Sequence, residues 1–80
     1  MSSEHIEIIV AMISRILGVE LNDVEILDLG YGNPTEWDSL ANFAILTAIE
    51  SEFGVNFTME ELVSVRDVRA ILSKLKQDSK

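Results

Sequence analysis

The chain has 80 residues, which is room for one domain, and we take residues 1–80 as that domain. Hydrophobic residues make up 48% of it, enough for one small core. It has no cysteine, which excludes a disulfide framework and a thiolate zinc site. Its one histidine, His5, argues against a histidine-based metal site and against a Ser-His catalytic pair.

The net charge of −8 is concentrated in the middle of the chain, because no Lys or Arg occurs between Arg15 and Arg66. Such a field repels nucleic acid and anionic membranes and steers basic protein surfaces toward the domain, although solubility alone is an equally good reason for it. No apolar run approaches the roughly 20 residues of a membrane span, and Met1–Glu7 lacks the pattern of a secretory signal. We therefore expect a cytoplasmic monomer without nucleic-acid or membrane partners.

The first predicted helix runs from about Glu4 to Leu17, where apolar residues recur at spacings of three and four. Ser3 is predicted to cap its start, and Gly18 is predicted to end it in the left-handed conformation. The apolar stripe is assigned to the core and consists of Ile6, Ile9, Val10, Ile13, Ile16 and Leu17.

A long connection, Val19–Trp37, follows the first helix and exceeds the usual loop length in compact domains. Its apolar residues predict that it packs on the core, with a short turn of helix near Asn22–Ile26. Its acidic residues invite a calcium site, but their spacing does not match a calcium-binding loop, so no metal site is predicted. The apolar residues of the connection are Leu21, Val24, Ile26, Leu27 and Leu29.

The second helix is predicted to start at Asp38 or Ser39 and to run to about Phe53, with Gly54 as its stop. At about 100° per residue it has two apolar faces, whereas an ordinary surface helix has one. One face must point to the core, and the other either packs beneath the long connection or faces solvent as a docking patch. The core face is Ile45, Leu46, Ile49 and Phe53, and the second face is Leu40, Phe43, Ala44 and Thr47.

A short third helix is predicted to start after Thr58, because Thr58 and Glu61 have the spacing of a capping box. It is predicted to end at Leu62 or Val63. A fourth helix is predicted over about Arg66–Lys76, where apolar residues again form one stripe. The expected fold is therefore all-α, a small four-helix bundle of three longer helices and one short helix, with a long first connection.

Ser39 lies at the predicted start of the second helix, where unpaired backbone N–H groups and the helix dipole favour a phosphate. Serine is also a favoured N-cap, and most serines at such positions only cap. A catalytic role is not favoured, because no histidine is near in sequence and the G-x-S-x-G context is absent. We predict no catalytic residue, and we do not expect an enzyme.

Several short motifs around Ser39 occur in a characteristic order along the chain. They are Asp38-Ser39-Leu40 preceded by Glu36-Trp37, the segment Ile49-Glu50-Ser51-Glu52-Phe53-Gly54-Val55, then Phe57, Glu60-Glu61-Leu62, Val65 and Val68. With these motifs, the helix order and the acidic middle, the chain resembles the acyl carrier protein family, which includes peptidyl and aminoacyl carriers. The resemblance is strong over about half of the chain and covers the whole chain in helix order.

The resemblance implies that a phosphopantetheinyl transferase attaches 4'-phosphopantetheine from coenzyme A to Ser39, with Asp38 and Leu40 beside it in the cofactor motif. It implies that the thiol of this arm carries an acyl group as a thioester, which would give thiol chemistry to a chain without cysteine. Loading and processing enzymes with basic docking surfaces are the implied partners. The residues predicted to dock them are Leu40, Phe43, Ala44, Thr47 and Glu50.

Two departures from the family pattern favour a carrier for a specialised pathway. The exposed face of the second helix has Ala41, Ala44 and Ser51 where carriers of housekeeping fatty acid synthesis usually have acidic residues, and Tyr31–Trp37 is inserted before the motif. An aminoacyl or peptidyl carrier, loaded by an adenylating enzyme, stays open as an alternative. A second alternative, of another class, is an unmodified helical interaction module in which Ser39 is only a cap.

Overall fold

A computed structural model describes residues 3–21 and 26–78 of the chain, and the side chains of residues 5–21 and 26–76. Within these ranges the secondary structure is helical, with no β-strand, so the predicted all-α class is confirmed. The Cα radius of gyration is 11.5 Å, close to the ~12 Å expected of a compact domain of this length. The elements are α1 (Ser3–Leu17), a 3-10 turn (Ile26–Asp28), α2 (Ser39–Phe53), α3 (Met59–Ser64) and α4 (Val68–Asp78).

Two helices begin elsewhere than predicted. Ser3 is the first residue of α1 rather than the residue before it. Helix α4 begins at Val68 instead of Arg66, because the Asp67 carboxylate caps it by accepting a hydrogen bond from the Ala70 N–H at 2.8 Å. The helical turn predicted near Asn22–Ile26 lies mostly outside the described residues, and the 3-10 turn starts at its last residue.

The core is built where α1, α2 and α4 meet. The predicted core face of α2 is largely confirmed, since three of its four residues are fully buried and Phe53 is half-buried. On α1 only two residues of the predicted stripe are buried, while Met12, which was not assigned to it, is buried as well. The fully buried side chains are Ile9, Ile13, Trp37, Ile45, Leu46, Ile49, Val68 and Ile71.

The long connection packs on this core through the buried residues Leu21, Leu29 and Trp37. Leu21 and Leu29 are buried, in agreement with the prediction that the connection packs on the core, whereas Leu27 on the 3-10 turn is 42% exposed. Leu27 points outward because the turn is anchored by its neighbours, Ile26 being half-buried and Leu29 buried. Among the described residues no helix has the length and apolar character that crossing a bilayer requires.

Backbone hydrogen bonds join the interior of the connection to the start of α4. The Tyr31 N–H donates to the Arg66 carbonyl at 2.8 Å, and the Val68 N–H donates to the Leu29 carbonyl at 3.0 Å. Gly30 lies between them, and a Cβ at this position would be 2.6 Å from the Asp67 Cβ, so only glycine permits the approach. The pairing brings Tyr31 and Arg66 side by side.

The capping box predicted for α3 is confirmed. The Thr58 hydroxyl accepts from the Glu61 N–H at 3.1 Å, and the Glu61 carboxylate accepts from the Thr58 N–H at 2.9 Å. The same carboxylate accepts from Lys74 at 3.0 Å, which ties α3 to α4. The Thr58 N–H, followed by Lys74, holds the pKa of Glu61 below its ordinary value of 4.5. The helix ends at Ser64, slightly beyond the predicted end.

Candidate functional site

The N-terminus of α2 is capped by Asp38, not by Ser39. Asp38 has extended backbone angles, and its carboxylate accepts a hydrogen bond from the Ala41 N–H at 2.9 Å. Helix α2 therefore begins at Ser39, and the interpretation of Ser39 as a mere cap is wrong. The two residues are equally good caps by type, and the register of the helix decides between them.

The Ser39 hydroxyl is exposed and makes one contact among the described side chains. Its Oγ lies 3.2 Å from the phenol oxygen of Tyr31, and either oxygen can be the donor. Tyr31 is itself exposed and belongs to the segment inserted before the motif. A reagent can therefore reach the serine oxygen without any change in the core.

The second apolar face of α2 is exposed to solvent. Leu40 is 78% exposed and Phe43 56%, and Ala44 and Thr47 are exposed as well. Of the two alternatives for this face, packing beneath the long connection is therefore wrong. Trp37, which belongs to that connection, is fully buried in the core.

The buried Trp37 is hydrogen-bonded to Asn42, a residue that was not among the predicted site residues. The indole N–H of Trp37 donates to the Asn42 side-chain oxygen at 2.8 Å, and the Asn42 amide nitrogen donates to the Val65 carbonyl at 3.1 Å. Asn42 is the one buried polar residue of the described core. The signal was present, because a buried tryptophan needs an acceptor and Asn42 is the only amide side chain on α2. This pair fixes the chain on both sides of Ser39.

Ser39 borders an open groove of about 360 Å³. The groove lies between α2, α3, the part of the long connection that contains Tyr31, and the link before α4 that contains Arg66. The groove is mostly apolar, and the α3 residues on its rim, Met59 and Val63, are strongly exposed. Sequence reasoning missed these rim residues, because each lies on a different segment from the motif. The groove is lined by Tyr31, Ser39, Asn42, Phe43, Met59, Leu62, Val63 and Arg66.

Arg66 brings a positive charge to this groove. Its guanidinium lies over the Tyr31 ring, 4.9 Å from the ring centroid, and its Nε donates to the Val63 carbonyl at 2.8 Å. The chain has no Lys or Arg from residue 16 to residue 65, so Arg66 is the first cation after a long acidic stretch. The site thus combines a hydroxyl, a phenol and a guanidinium beside apolar walls.

The predicted docking residues are not all in one place. Leu40, Phe43, Ala44 and Thr47 share the exposed face, and the Thr47 hydroxyl donates to the Phe43 carbonyl at 2.8 Å. Glu50 lies near the other end of α2, where its carboxylate accepts from the Phe57 N–H at 2.8 Å and holds the link to α3. Leu40 and Phe43 are therefore the large side chains of this face that lie near Ser39.

Two further findings concern the site as a whole. Among the described side chains, no group of three or more histidine or acidic residues is placed to hold a metal ion. Comparisons with protein families, with curated proteins and with solved structures gave no match to this chain.

Proposed function

We propose that this chain is an acyl carrier protein of a specialised cytoplasmic pathway. A phosphopantetheinyl transferase attaches 4'-phosphopantetheine to Ser39, and the protein presents the acyl group on this arm to biosynthetic enzymes. The observation that supports this most is that the Ser39 hydroxyl is exposed at the start of α2 while Asp38 supplies the cap. The serine oxygen is thus free of the structural task that serines at helix starts usually have.

The side chains around Ser39 suit the phosphodiester that links such an arm to the protein. Tyr31 and Arg66 supply hydrogen-bond donors, one of them charged, and phosphate oxygens accept such bonds strongly. The apolar lining of the groove, with Phe43 and Leu62, suits an uncharged chain. When bound, the arm supplies the thiol on which an acyl group is held as a thioester, which the protein's own side chains cannot supply because the chain has no cysteine.

In the attachment reaction Ser39 is the nucleophile and coenzyme A is the co-substrate. A bond forms between the Ser39 oxygen and the phosphorus that bears the pantetheine, and the pyrophosphate P–O bond at that phosphorus breaks. Adenosine bisphosphate leaves with the electron pair of the broken bond, and the Ser39 proton passes to a base of the transferase. No atom is oxidised or reduced. The protein's own contribution is to hold Ser39 exposed on a fixed helix end.

Attachment is tested by measuring the intact mass of the purified protein after incubation with coenzyme A and a phosphopantetheinyl transferase. The carrier function predicts that the whole population gains the mass of one arm. An unchanged mass, with a known carrier fully modified in the same reaction, would contradict it and favour an unmodified helical interaction module in which Asp38 is the cap. Loading the product with a panel of acyl donors and adenylating enzymes then distinguishes the acyl carrier from the aminoacyl or peptidyl alternative.

Phe43 is expected to act in docking rather than in folding. Because its side chain is 56% exposed, Phe43→Ala should lower the free energy of unfolding by only about 1 kcal/mol or less. Exposed aromatic residues commonly anchor interfaces, so arm attachment should slow about tenfold or more, equivalent to ~1.4 kcal/mol. Thermal unfolding and the attachment rate, measured on the same variant, check both parts.

The matched control for Phe43→Ala is Leu27→Ala. Leu27 is 42% exposed but lies on the 3-10 turn and does not line the groove. The substitution Leu27→Ala should leave the attachment rate unchanged. A loss of about 3–5 kcal/mol in Phe43→Ala, as for a core phenylalanine, together with normal attachment would contradict the docking role.

Association with the transferase is expected to slow at high salt. The chain from residue 16 to residue 65 carries only acidic charges, and screening shortens from about 10 Å at 0.1 M salt to about 3 Å at 1 M. Electrostatic steering acts mainly on the association rate, so the dissociation rate should change less. Stopped-flow or surface-based kinetics at both salt concentrations measure the two rates. An association rate independent of salt would assign the acidic field to solubility alone.

A further inference from the structure

We propose that Arg66 and Tyr31 are positioning residues that hold the phosphate of the attached arm beside Ser39. The guanidinium and the phenol hydroxyl would bind the phosphodiester and so set the direction in which the arm leaves the protein. This inference rests on the proposed carrier function, and it assigns to two residues outside the Asp38-Ser39-Leu40 motif a role toward the arm.

Tyr31 is already in contact with the oxygen that would carry the phosphate. Its phenol oxygen lies 3.2 Å from the Ser39 Oγ. In the unmodified protein either hydroxyl can donate in this contact, but once Ser39 is esterified it has no hydrogen left to give. The phenol then becomes the donor. The free oxygens of the phosphate attached to Ser39 are its strongest nearby acceptors.

Arg66 is held beside Tyr31 by two contacts that leave its far end available. The guanidinium stacks on the Tyr31 ring at 4.9 Å, and its Nε donates to the Val63 carbonyl at 2.8 Å. Within the described part of the chain its two terminal amino groups have no hydrogen-bond partner. The planar fork of an arginine matches two phosphate oxygens at once, which an ammonium group does not.

Among the carboxylates that the structure describes, none neutralises the charge of Arg66. Among the described residues no carboxylate lies within ion-pair distance of it, whereas Arg69 lies 3.9 Å from Asp28 and Lys74 lies 3.0 Å from Glu61. The adjacent Asp67 is engaged as the cap of α4. In a chain of net charge −8, a cation beside the proposed attachment serine that has no acidic partner in the described part of the chain is suited to an added anion.

The rival explanation is that the stack of Arg66 on Tyr31 only fastens the long connection to the link before α4. The two explanations differ in what attachment of the arm does. A fastening contact stabilises the unmodified and the modified protein equally, whereas a phosphate-holding pair adds stability only after attachment.

The experiment compares unmodified and arm-bearing protein for the natural sequence and for Arg66→Gln, Tyr31→Phe and the matched control Arg69→Gln. The substitution Arg69→Gln removes the same charge as Arg66→Gln, but Arg69 does not line the groove. At low salt, attachment should raise the melting temperature of the natural protein and of Arg69→Gln by a few degrees. Most of this rise should vanish in Arg66→Gln, and part of it in Tyr31→Phe, which keeps the ring but not the hydroxyl.

Nuclear magnetic resonance gives a direct readout in the natural protein, without any substitution. The Nε–H signal of Arg66 should move when the arm is attached, and that of Arg69 should stay in place. If the intact mass shows full attachment but the Arg66 signal does not move, or if Arg66→Gln lowers both melting temperatures equally, the phosphate role is overturned and the carrier function stands. If the natural protein gains no arm, both proposals are overturned.

Discussion

Replacing Ser39 with alanine is expected to abolish attachment of the arm completely while leaving the fold and its stability nearly unchanged. Attachment is lost because the nucleophilic oxygen is removed. Stability is kept because Asp38, not Ser39, caps α2, so the substitution removes only one exposed contact, with Tyr31. A change of about 0.5 kcal/mol or less is typical of such surface sites, compared with ~1 kcal/mol for a lost cap.

The matched control is Ser51→Ala, which removes an exposed serine from the same helix. It should be modified at the natural rate and to completion. The intact masses of both variants, together with their unfolding curves, check the prediction. If Ser39→Ala still gained the mass of the arm, Ser39 would not be the attachment site. If it instead lost the stability of a helix cap, the cap at Asp38 would be wrongly assigned.

Replacing Ile49 with alanine is expected to lower the free energy of unfolding by roughly 2–5 kcal/mol. Ile49 is fully buried in the core, together with Ile45 and Leu46 from the same face of α2. Truncation removes apolar contacts and leaves a cavity that the neighbouring helices can only partly fill. A domain of 80 residues has a total stability of about 4–12 kcal/mol, so the loss is a large fraction of the whole.

Leu40→Ala is the matched control, because Leu40 lies on the same helix but is 78% exposed. It should change stability by about 0.5 kcal/mol or less. Urea unfolding followed by circular dichroism gives both values, since the shift of the midpoint reports stability when the slope is unchanged. Equal effects of the two substitutions would mean that the two faces of α2 are assigned the wrong way round.

Features set by residues close in sequence were predicted well. Gly54 ends α2 with a φ of 66°, a left-handed conformation that glycine adopts readily, and Thr58 and Glu61 form their capping box within a single turn. The core face of α2 was also predicted, because its period of 3.6 residues needs no knowledge of the partner helices. Local chemistry is sufficient for each of these features.

Features that depend on contacts distant in sequence could not be predicted. The start of α4 is set partly by the Leu29 carbonyl, which accepts from the Val68 N–H although about half of the chain separates the two residues. The Asn42 amide nitrogen, in the same way, donates to the Val65 carbonyl, which is 23 residues further along the chain. Neither the spacing of apolar residues nor helix propensity contains this information.

The same limit applies to the candidate site. Ser39 could be singled out, because its motif is continuous in the sequence. Tyr31 and Arg66 could not, since they come together only through the backbone pairing that Gly30 permits with the segment before α4. The sequence therefore predicts the motif of this site but not the two distant residues that complete it.

The most direct test is to locate the arm on the chain. After reaction with coenzyme A and a transferase, digestion with a protease that cleaves after glutamate releases the fragment Trp37–Glu50, in which Ser39 is the only serine. The carrier function predicts that this fragment gains the mass of one arm and that fragmentation of the peptide assigns the arm to Ser39. An unmodified Trp37–Glu50 fragment, or an arm on any other peptide, would contradict it.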